Sequence, residues 1–283
     1  MKIIDVKPPN EEAIEISNKH PFVLIAGSCA LESHDCARSI ANAVREITQE
    51  IGIPYIAKFS FDKANRTSID AKRGVGLEES LKTFEYIRKW MGIPVLTDVH
   101  EFWQCDAIKP VVDIIQIPAL LCRQTDLIVA AAETGCVVNL KKGQFMAPWE
   151  MKYAVEKVES VKMNLGRIML TERGTSFGYN RLVSDMLSIP IMEETGYPVI
   201  FDATHSVQKP GGEGSSSGGN WKDAIPLAKA AVAVGVAGIF MEVHHDPERA
   251  HSDGPNSIPL IYLADILKQL KEIDNVVKNV SVS

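Results

Sequence analysis

Between Lys58 and Ser68 the chain sets Lys58, Ser60, Lys63, Asn65, Arg66, Thr67 and Ser68. Three cations interleaved with hydroxyl and amide groups form a donor set suited to phosphate and carboxylate oxygens. The segment begins as a buried strand, because Tyr55-Ile-Ala-Lys-Phe59 is apolar and aromatic and follows the turn signal Gly52-Ile-Pro54. Alone, such a run reads as a solvated basic loop. Two features give it context. Lys141 and Arg173 also stand at the ends of apolar runs, and the whole chain carries a net charge of -6. Cations gathered against an acidic background suit a small anionic ligand, and the missing positive excess argues against a general nucleic-acid binder.

A second constellation is Cys29, His205, Glu242 and Asp253. A thiolate, an imidazole and two carboxylates match a borderline divalent ion such as Zn2+, Fe2+ or Mn2+. The signal is weak by itself: a lone strand cysteine is more often core, and a lone histidine is more often satisfied locally. It gains force only if the first, seventh and eighth strands are neighbours. Asp253 lies in the turn signal Ser252-Asp-Gly-Pro-Asn256. His244, His245 and His251 compete for the imidazole role.

The elements that must carry these groups alternate regularly. Two short segments, Lys2 to Val6 and Ala13 to Ile16, predict a β-hairpin within residues 1–20. Strand patterns follow at 22–29, 55–61, 94–99, 114–118, 137–141, 167–173, 198–204 and 238–244. Helical spacing fills the gaps. Ser33 caps a helix with apolar positions Ala37, Ile40, Val44, Ile47 and Ile51, stopped by Gly52; Leu77 to Met91 repeats the pattern before Gly92. Thr125 is expected to cap 126–134, Pro148 suits a first helical turn, and further helices fit 179–196, 221–235 and 260–279. Eight strands alternating with helices predict one (β/α)8 TIM barrel over residues 21–283, a fold of typically ~250 residues. A doubly wound sheet is disfavoured because no Gly-x-Gly-x-x-Gly follows the first strand.

In that barrel the strand ends carry the chemistry: Cys29; Lys58 and Ser60; Asp98 and His100; Gln116; Asn139 and Lys141; Glu172 and Arg173; Asp202 and His205; Glu242 and His244. Barrel enzymes place their sites at this face. The cations would converge there, and burying them together is costly unless a ligand brings negative charge; the competing expectation is that one or two pair with Asp98, Asp202, Glu172 or Glu242. The run Pro210 to Gly219 lacks a P-loop ending and, directly after the seventh strand, is expected to form a mobile lid. No Gly-x-Ser-x-Gly turn presents Ser206, so a hydrolase triad with Asp202 and His205 fails. The N-terminus lacks a signal-peptide run, and the longest apolar stretch, Ala230 to Met241, is shorter than the ~20 residues of a membrane span. Five cysteines with no Cys-x-x-Cys fit a reducing cytoplasm.

Over nearly its whole length the chain resembles the 3-deoxy-D-manno-octulosonate 8-phosphate synthases. The resemblance is carried in order by Ala26-Gly-Ser-Cys-Ala-Leu-Glu-Ser33, Lys58-Phe-Ser-Phe-Asp-Lys-Ala-Asn-Arg-Thr-Ser68, Thr97-Asp-Val-His-Glu101, Gln116-Ile-Pro-Ala119 and Arg123-Gln-Thr-Asp126. Asn139-Leu-Lys-Lys-Gly-Gln-Phe145, Glu172-Arg-Gly174, Phe201-Asp-Ala-Thr-His-Ser206 and Ser252-Asp-Gly-Pro255 continue it. It implies a barrel with an N-terminal hairpin, assembled as a homotetramer. It also implies a transferase that condenses phosphoenolpyruvate with D-arabinose 5-phosphate and water, without organic cofactor, for the inner-core sugar of lipopolysaccharide.

By the same resemblance Lys58, Ser60, Lys63, Gln116, Ala119, Lys141 and Arg173 match the phosphoenolpyruvate positions. Asn65, Arg66, Thr67 and Ser68 match the pentose phosphate site, with Asp98 beside it. Lys58, Lys63, Lys141, Asp98 and His205 are the expected catalytic set, and Arg123 matches a residue reaching a neighbouring subunit's site. Leu120 stands where some members carry phenylalanine. The family divides at the first strand end into an asparagine class without metal and a cysteine class with a divalent ion, and Cys29 implies the second. The sister enzyme using erythrose 4-phosphate shares the cations but usually carries proline in the sugar-phosphate loop, where this chain reads Lys63-Ala-Asn-Arg-Thr-Ser68. A non-catalytic phosphosugar-binding barrel is the alternative of a different class.

Overall fold

The computed structural model describes residues 1–9, 11–66, 68–164, 166–209 and 218–279. The hairpin strands β1 (Ile4–Val6) and β2 (Ile14–Ile16) pair antiparallel, Val6 opposite Ile14. Then β3 (Val23–Gly27), β4 (Tyr55–Lys58), β5 (Val95–Asp98), β6 (Ile114–Ile117), β7 (Val137–Lys141), β8 (Ile168–Glu172), β11 (Val199–Asp202) and β12 (Gly238–His244) pair in parallel in that order. Pairing of β12 with both β11 and β3 closes the eight-stranded barrel. Short pairs complete the strand set: β9 (Thr175–Ser176) with β10 (Leu182–Val183), and β13 (Ile258–Pro259) on the end of β12.

Every residue of these eight strands is buried. That explains their near-continuous apolar runs, since one face fills the barrel and the other meets the helices. The helices are α1 (His34–Ile51), α2 (Leu77–Glu85), α3 (Phe102–Ile108), α4 (Thr125–Glu133), α5 (Met151–Glu159), α6 (Ser188–Glu193), α7 (Ala203–Ser206), α8 (Trp221–Val234) and α9 (Leu260–Lys278). In α1 the Ser33 hydroxyl accepts the Cys36 N–H, Ala37, Ile40, Ala41 and Val44 face the barrel, and Gly52 ends the helix in the left-handed conformation.

The hairpin closes the face opposite the strand ends. Asn18 accepts the Val199 N–H at 2.9 Å and donates to the Gly235 carbonyl at 3.0 Å, both just where β11 and β12 begin. The site is therefore free of the hairpin.

Three expectations need correction. No helix runs over 179–196: β10 returns against β9 and α6 is short. Gly178 and Asn180 have φ of 71° and 51°, left-handed values that break a right-handed helix, and Ser-Ile-Pro190 restarts one in its first turn. Thr125 is the first residue of α4, and its predecessor Gln124 occupies the cap without a side-chain bond. The strands at 22–29, 55–61, 167–173 and 198–204 end earlier, at Gly27, Lys58, Glu172 and Asp202, and the following residues turn into the mouth.

Gly27 shows how tightly β3 and β4 meet at that mouth. A Cβ there would lie 1.8 Å from the Lys58 carbonyl oxygen. Gly27→Ala should destabilise the fold by about 3 kcal/mol or more, since backbone must move; urea unfolding midpoints measure it.

Candidate active site

The strand-end side chains meet at the C-terminal mouth of the barrel. From β4, Lys58 extends its buried ammonium to the Ser60 hydroxyl at 2.8 Å and to Glu242 Oε1 at 3.3 Å, with Asp98 Oδ1 at 3.9 Å. Ser60 donates to Asp98 in a short hydrogen bond, and His100 Nε2 stands 3.2 Å from the other Asp98 oxygen. Burial raises the Asp98 carboxyl, but Lys58, Lys63 and His100 outweigh it and hold it well below the usual carboxylate range. Lys63 is half-buried. Burial opposes its charge, while the Cys29 thiol and the Asp98, Glu242 and Asp253 carboxylates raise it overall.

Across the barrel, Lys141 is ion-paired with Asp202 at 2.5 Å and lies 4.5 Å from the Phe240 ring centre. Burial pushes this ammonium below the ordinary lysine range, against the pull of Asp202. The pairing expectation thus holds for two of the cations, Lys58 and Lys141. Arg173 makes no ion pair among the described residues. Its Nη2 donates to Gln208 Oε1 at 3.1 Å, and Gln208 Nε2 donates in turn to Asp253 Oδ1 at 2.8 Å. Glu172 faces away from the mouth, accepting the Arg173 and Gly174 N–H groups and meeting the buried Lys142 at 3.6 Å.

Three buried donors in this wall have no hydrogen-bond partner among the described residues: Gln116 Nε2, Asn139 Nδ2 and Arg173 Nη1. Gln116 and Asn139 are register partners on adjacent strands. A buried unsatisfied donor costs about 1–3 kcal/mol, so such a group of donors beside two lysines is built for acceptor oxygens brought from outside.

The first, seventh and eighth strands are neighbours, and they bring together Cys29, His205 and Asp253 of the second constellation, with Glu242 beside His205 rather than within the trio. Cys29 Sγ, His205 Nε2 and an Asp253 oxygen lie within 4.8 Å of one another. Cys29 Sγ is 3.1 Å from Asp253 Oδ2, and His205 Nε2 is 3.6 Å from Glu242 Oε1 and 3.7 Å from Asp253 Oδ2. His205 Nδ1 donates to Asp202 Oδ2 at 2.8 Å, which fixes the tautomer and leaves the Nε2 lone pair aimed at the cluster. Glu242 Oε2 is buried and unpartnered among the described residues. Burial pushes the Cys29 thiol up to about 12, so a cation is what would make it a thiolate. The donor set of the trio and the His205 tautomer fit a divalent ion.

The remaining candidates lie further out. Arg66 and Ser68 line, with Trp221, Ser252 and Asp253, a cavity of about 680 Å³ that none of Lys58, Gln116, Lys141 or Arg173 lines. Arg66 donates to the His251 carbonyl at 3.0 Å; Asn65 is exposed. Thr67 lies outside the described residues, as does most of the expected lid, whose Gly218 pairs with Lys209, just before it, in an antiparallel bridge. Ala119 is buried in the turn after β6, whereas Arg123 is exposed at the rim. Sequence reasoning missed Gln208, which links Arg173 to Asp253, and the buried Lys142. Neither carries a local signal beyond standing beside strand-end chemistry.

The model of the DAHP synthetase I family matches residues 4–279. The chain belongs to the DAHP synthetase I family. Within this family, curated relatives include the 2-dehydro-3-deoxyphosphooctonate aldolase of Bartonella quintana (strain Toulouse), 56% identical over 268 residues, or 95% of this chain and 96% of that one. The protein of the same name from Bartonella henselae is 57% identical, covering 92% and 93% of the two chains. That from Brucella anthropi is 54% identical, covering 94% and 95%. The family membership agrees with the closed parallel barrel and its extra N-terminal hairpin.

Proposed function

We propose that this chain condenses phosphoenolpyruvate with D-arabinose 5-phosphate and water, giving 3-deoxy-D-manno-octulosonate 8-phosphate and inorganic phosphate. The observation that carries the reading is the mouth itself: Lys58, Lys141 and Arg173 surround unpartnered donors of Gln116 and Asn139, a receptacle for an anion bearing both carboxylate and phosphate. The relatives' shared name supplies the identity of the product.

The deep wall holds phosphoenolpyruvate through Lys58, Ser60, Lys63, Gln116, Ala119, Lys141 and Arg173. Asn65, Arg66, Thr67 and Ser68 hold the pentose phosphate, with Arg66 and Ser68 lining the outer cavity. The pentose reacts as its open-chain aldehyde. Its C1 accepts a bond from C3 of phosphoenolpyruvate while water adds to C2, and the hemiketal phosphate then loses phosphate by C–O cleavage. Preorganised cations oppose the charge of both phosphates and the carboxylate, which commonly supplies the largest share of such a rate enhancement. Asp98, held well below the usual carboxylate range, stays ionised beside Lys58. Asp202 orients His205 and ion-pairs with Lys141.

Cys29, His205, Glu242 and Asp253 would hold a divalent ion of the Zn, Fe or Mn class, which supplies Lewis acidity toward an aldehyde or water oxygen when bound. No organic cofactor is required. The protein works as a homotetramer in which Arg123, exposed at the rim, reaches a neighbour's site. Free cysteines suit a cytoplasmic setting, and no helix among the described residues is long and apolar enough to cross a membrane.

Phosphate release measured with each aldose tests the substrate. Arabinose 5-phosphate should exceed erythrose 4-phosphate in kcat/KM by about 100-fold or more, because the sugar-phosphate loop sets the reach to the aldehyde. A preference for erythrose 4-phosphate would overturn the reading, and binding of both without turnover would favour a non-catalytic barrel.

A further inference from the structure

A second trio of ligand-type side chains lies behind the first. Glu32, Cys36 and His244 also bring a carboxylate oxygen, a thiol and a ring nitrogen within 4.8 Å. The two histidines are wired oppositely. His205 donates from Nδ1 to Asp202, leaving a lone pair on Nε2, whereas His244 accepts the Asp246 N–H at Nδ1, at 3.0 Å. With Nδ1 accepting, the ring proton of His244 sits on Nε2, which lies 3.4 Å from Glu32 Oε1 without making a hydrogen bond to it. A protonated nitrogen is not a ligand, and this trio is a contact between chain segments, not a second metal centre.

What it contacts is the loop that carries Asp253. Glu32 Oε1 accepts the His251 N–H at 2.7 Å, and the carbonyl of the same residue accepts from Arg66. His251 is thus gripped at both ends of its backbone, two residues before Asp253. Asp253 itself has φ of 50°, a left-handed conformation that a non-glycine residue keeps only when its surroundings impose it. Ser252, between them, meets Cys29 Sγ at 3.1 Å. Cys29 and Glu32, three residues apart after β3, therefore hold adjacent points of one loop.

We propose that Glu32 is a positioning residue: through the His251 N–H it sets where Asp253 meets Cys29 and His205. The proposal rests on the metal reading above. Outer groups that orient metal ligands typically change metal affinity 10–100-fold when removed. The test is Co2+ titration of chelator-stripped protein against a competing chelator, recording the thiolate-to-cobalt absorption that reports Cys29. Glu32→Ala should weaken Co2+ about tenfold or more and alter that band. Glu32→Gln, which keeps an oxygen acceptor for the His251 N–H, should stay within about threefold of the unaltered protein. Should the alanine variant fail to fold, Glu32→Asp, which withdraws the acceptor by one methylene, carries the same expectation of tenfold loss. Affinity within twofold of the unaltered protein in the alanine or aspartate variant overturns the role of Glu32. Absence of Co2+ binding by the unaltered protein overturns the metal reading, and the proposal with it.

Discussion

Lys141→Met should lower kcat/KM for phosphoenolpyruvate by about 10³-fold or more, roughly 4 kcal/mol of transition-state stabilisation. The substitution removes the ammonium while preserving most of the stem that lies against Phe240. Asp202 would remain bonded to the backbone N–H and ring of His205, so the carboxylate is not stranded and the fold should survive. Lys141→Arg should recover little. The ammonium sits in a site only 8% exposed, 2.5 Å from Asp202, and a planar guanidinium cannot occupy that volume with the same geometry. Steady-state kinetics on variants with unchanged circular dichroism measure the effect. Activity within tenfold of the unaltered enzyme would remove Lys141 from the charge-opposing set.

Stripping divalent ions with a chelator should reduce turnover by about 100-fold or more, and added Mn2+ or Zn2+ should restore it. The expectation follows from what the protein alone leaves unsatisfied. A Cys29 thiol that burial holds neutral, an Asp253 carboxylate oxygen and the ring of His205 converge within 4.8 Å, with Glu242 Oε1 3.6 Å from His205 Nε2. Without an ion, two carboxylates and a thiol confront each other there with Lys58 and Lys63 as counter-charges. Metal content and rate, measured on the same sample before and after chelation, decide it. Full activity at negligible metal content would place this chain with enzymes that need none.

The barrel was legible because buried parallel strands cannot disguise themselves. Val23-Leu-Ile-Ala and Gly238-Ile-Phe-Met are apolar on both faces, and helical spacing between such runs leaves few alternatives. The polar residue ending each run was legible for the same reason: Lys58, Asp98, Lys141 and Glu242 interrupt apolar sequence at buried positions. Neighbouring of the first, seventh and eighth strands followed from closure alone, and the structure does bring Cys29, His205 and Asp253 together. Long-range pairings were not legible. Nothing near Gln208 announces Arg173 and Asp253 as partners, and nothing near Glu32 announces the His251 N–H. The segment 179–196 misled because its apolar spacing hid Gly178 and Asn180, whose left-handed backbones turn the chain into β10. Glu172 likewise read as a mouth residue, yet it turns toward Lys142, a lysine with no exposed surface.

The central claim is that phosphoenolpyruvate is attacked at carbon, with its phosphate departing from C2. Phosphoenolpyruvate labelled with 18O at the bridging oxygen, turned over with arabinose 5-phosphate and analysed by mass spectrometry, tests this most directly. Carbon–oxygen cleavage places the label in inorganic phosphate, which is the result expected here. Label retained in the sugar acid would mean cleavage at phosphorus, and unlabelled phosphate with an eight-carbon product would contradict the proposed order of bonds made and broken.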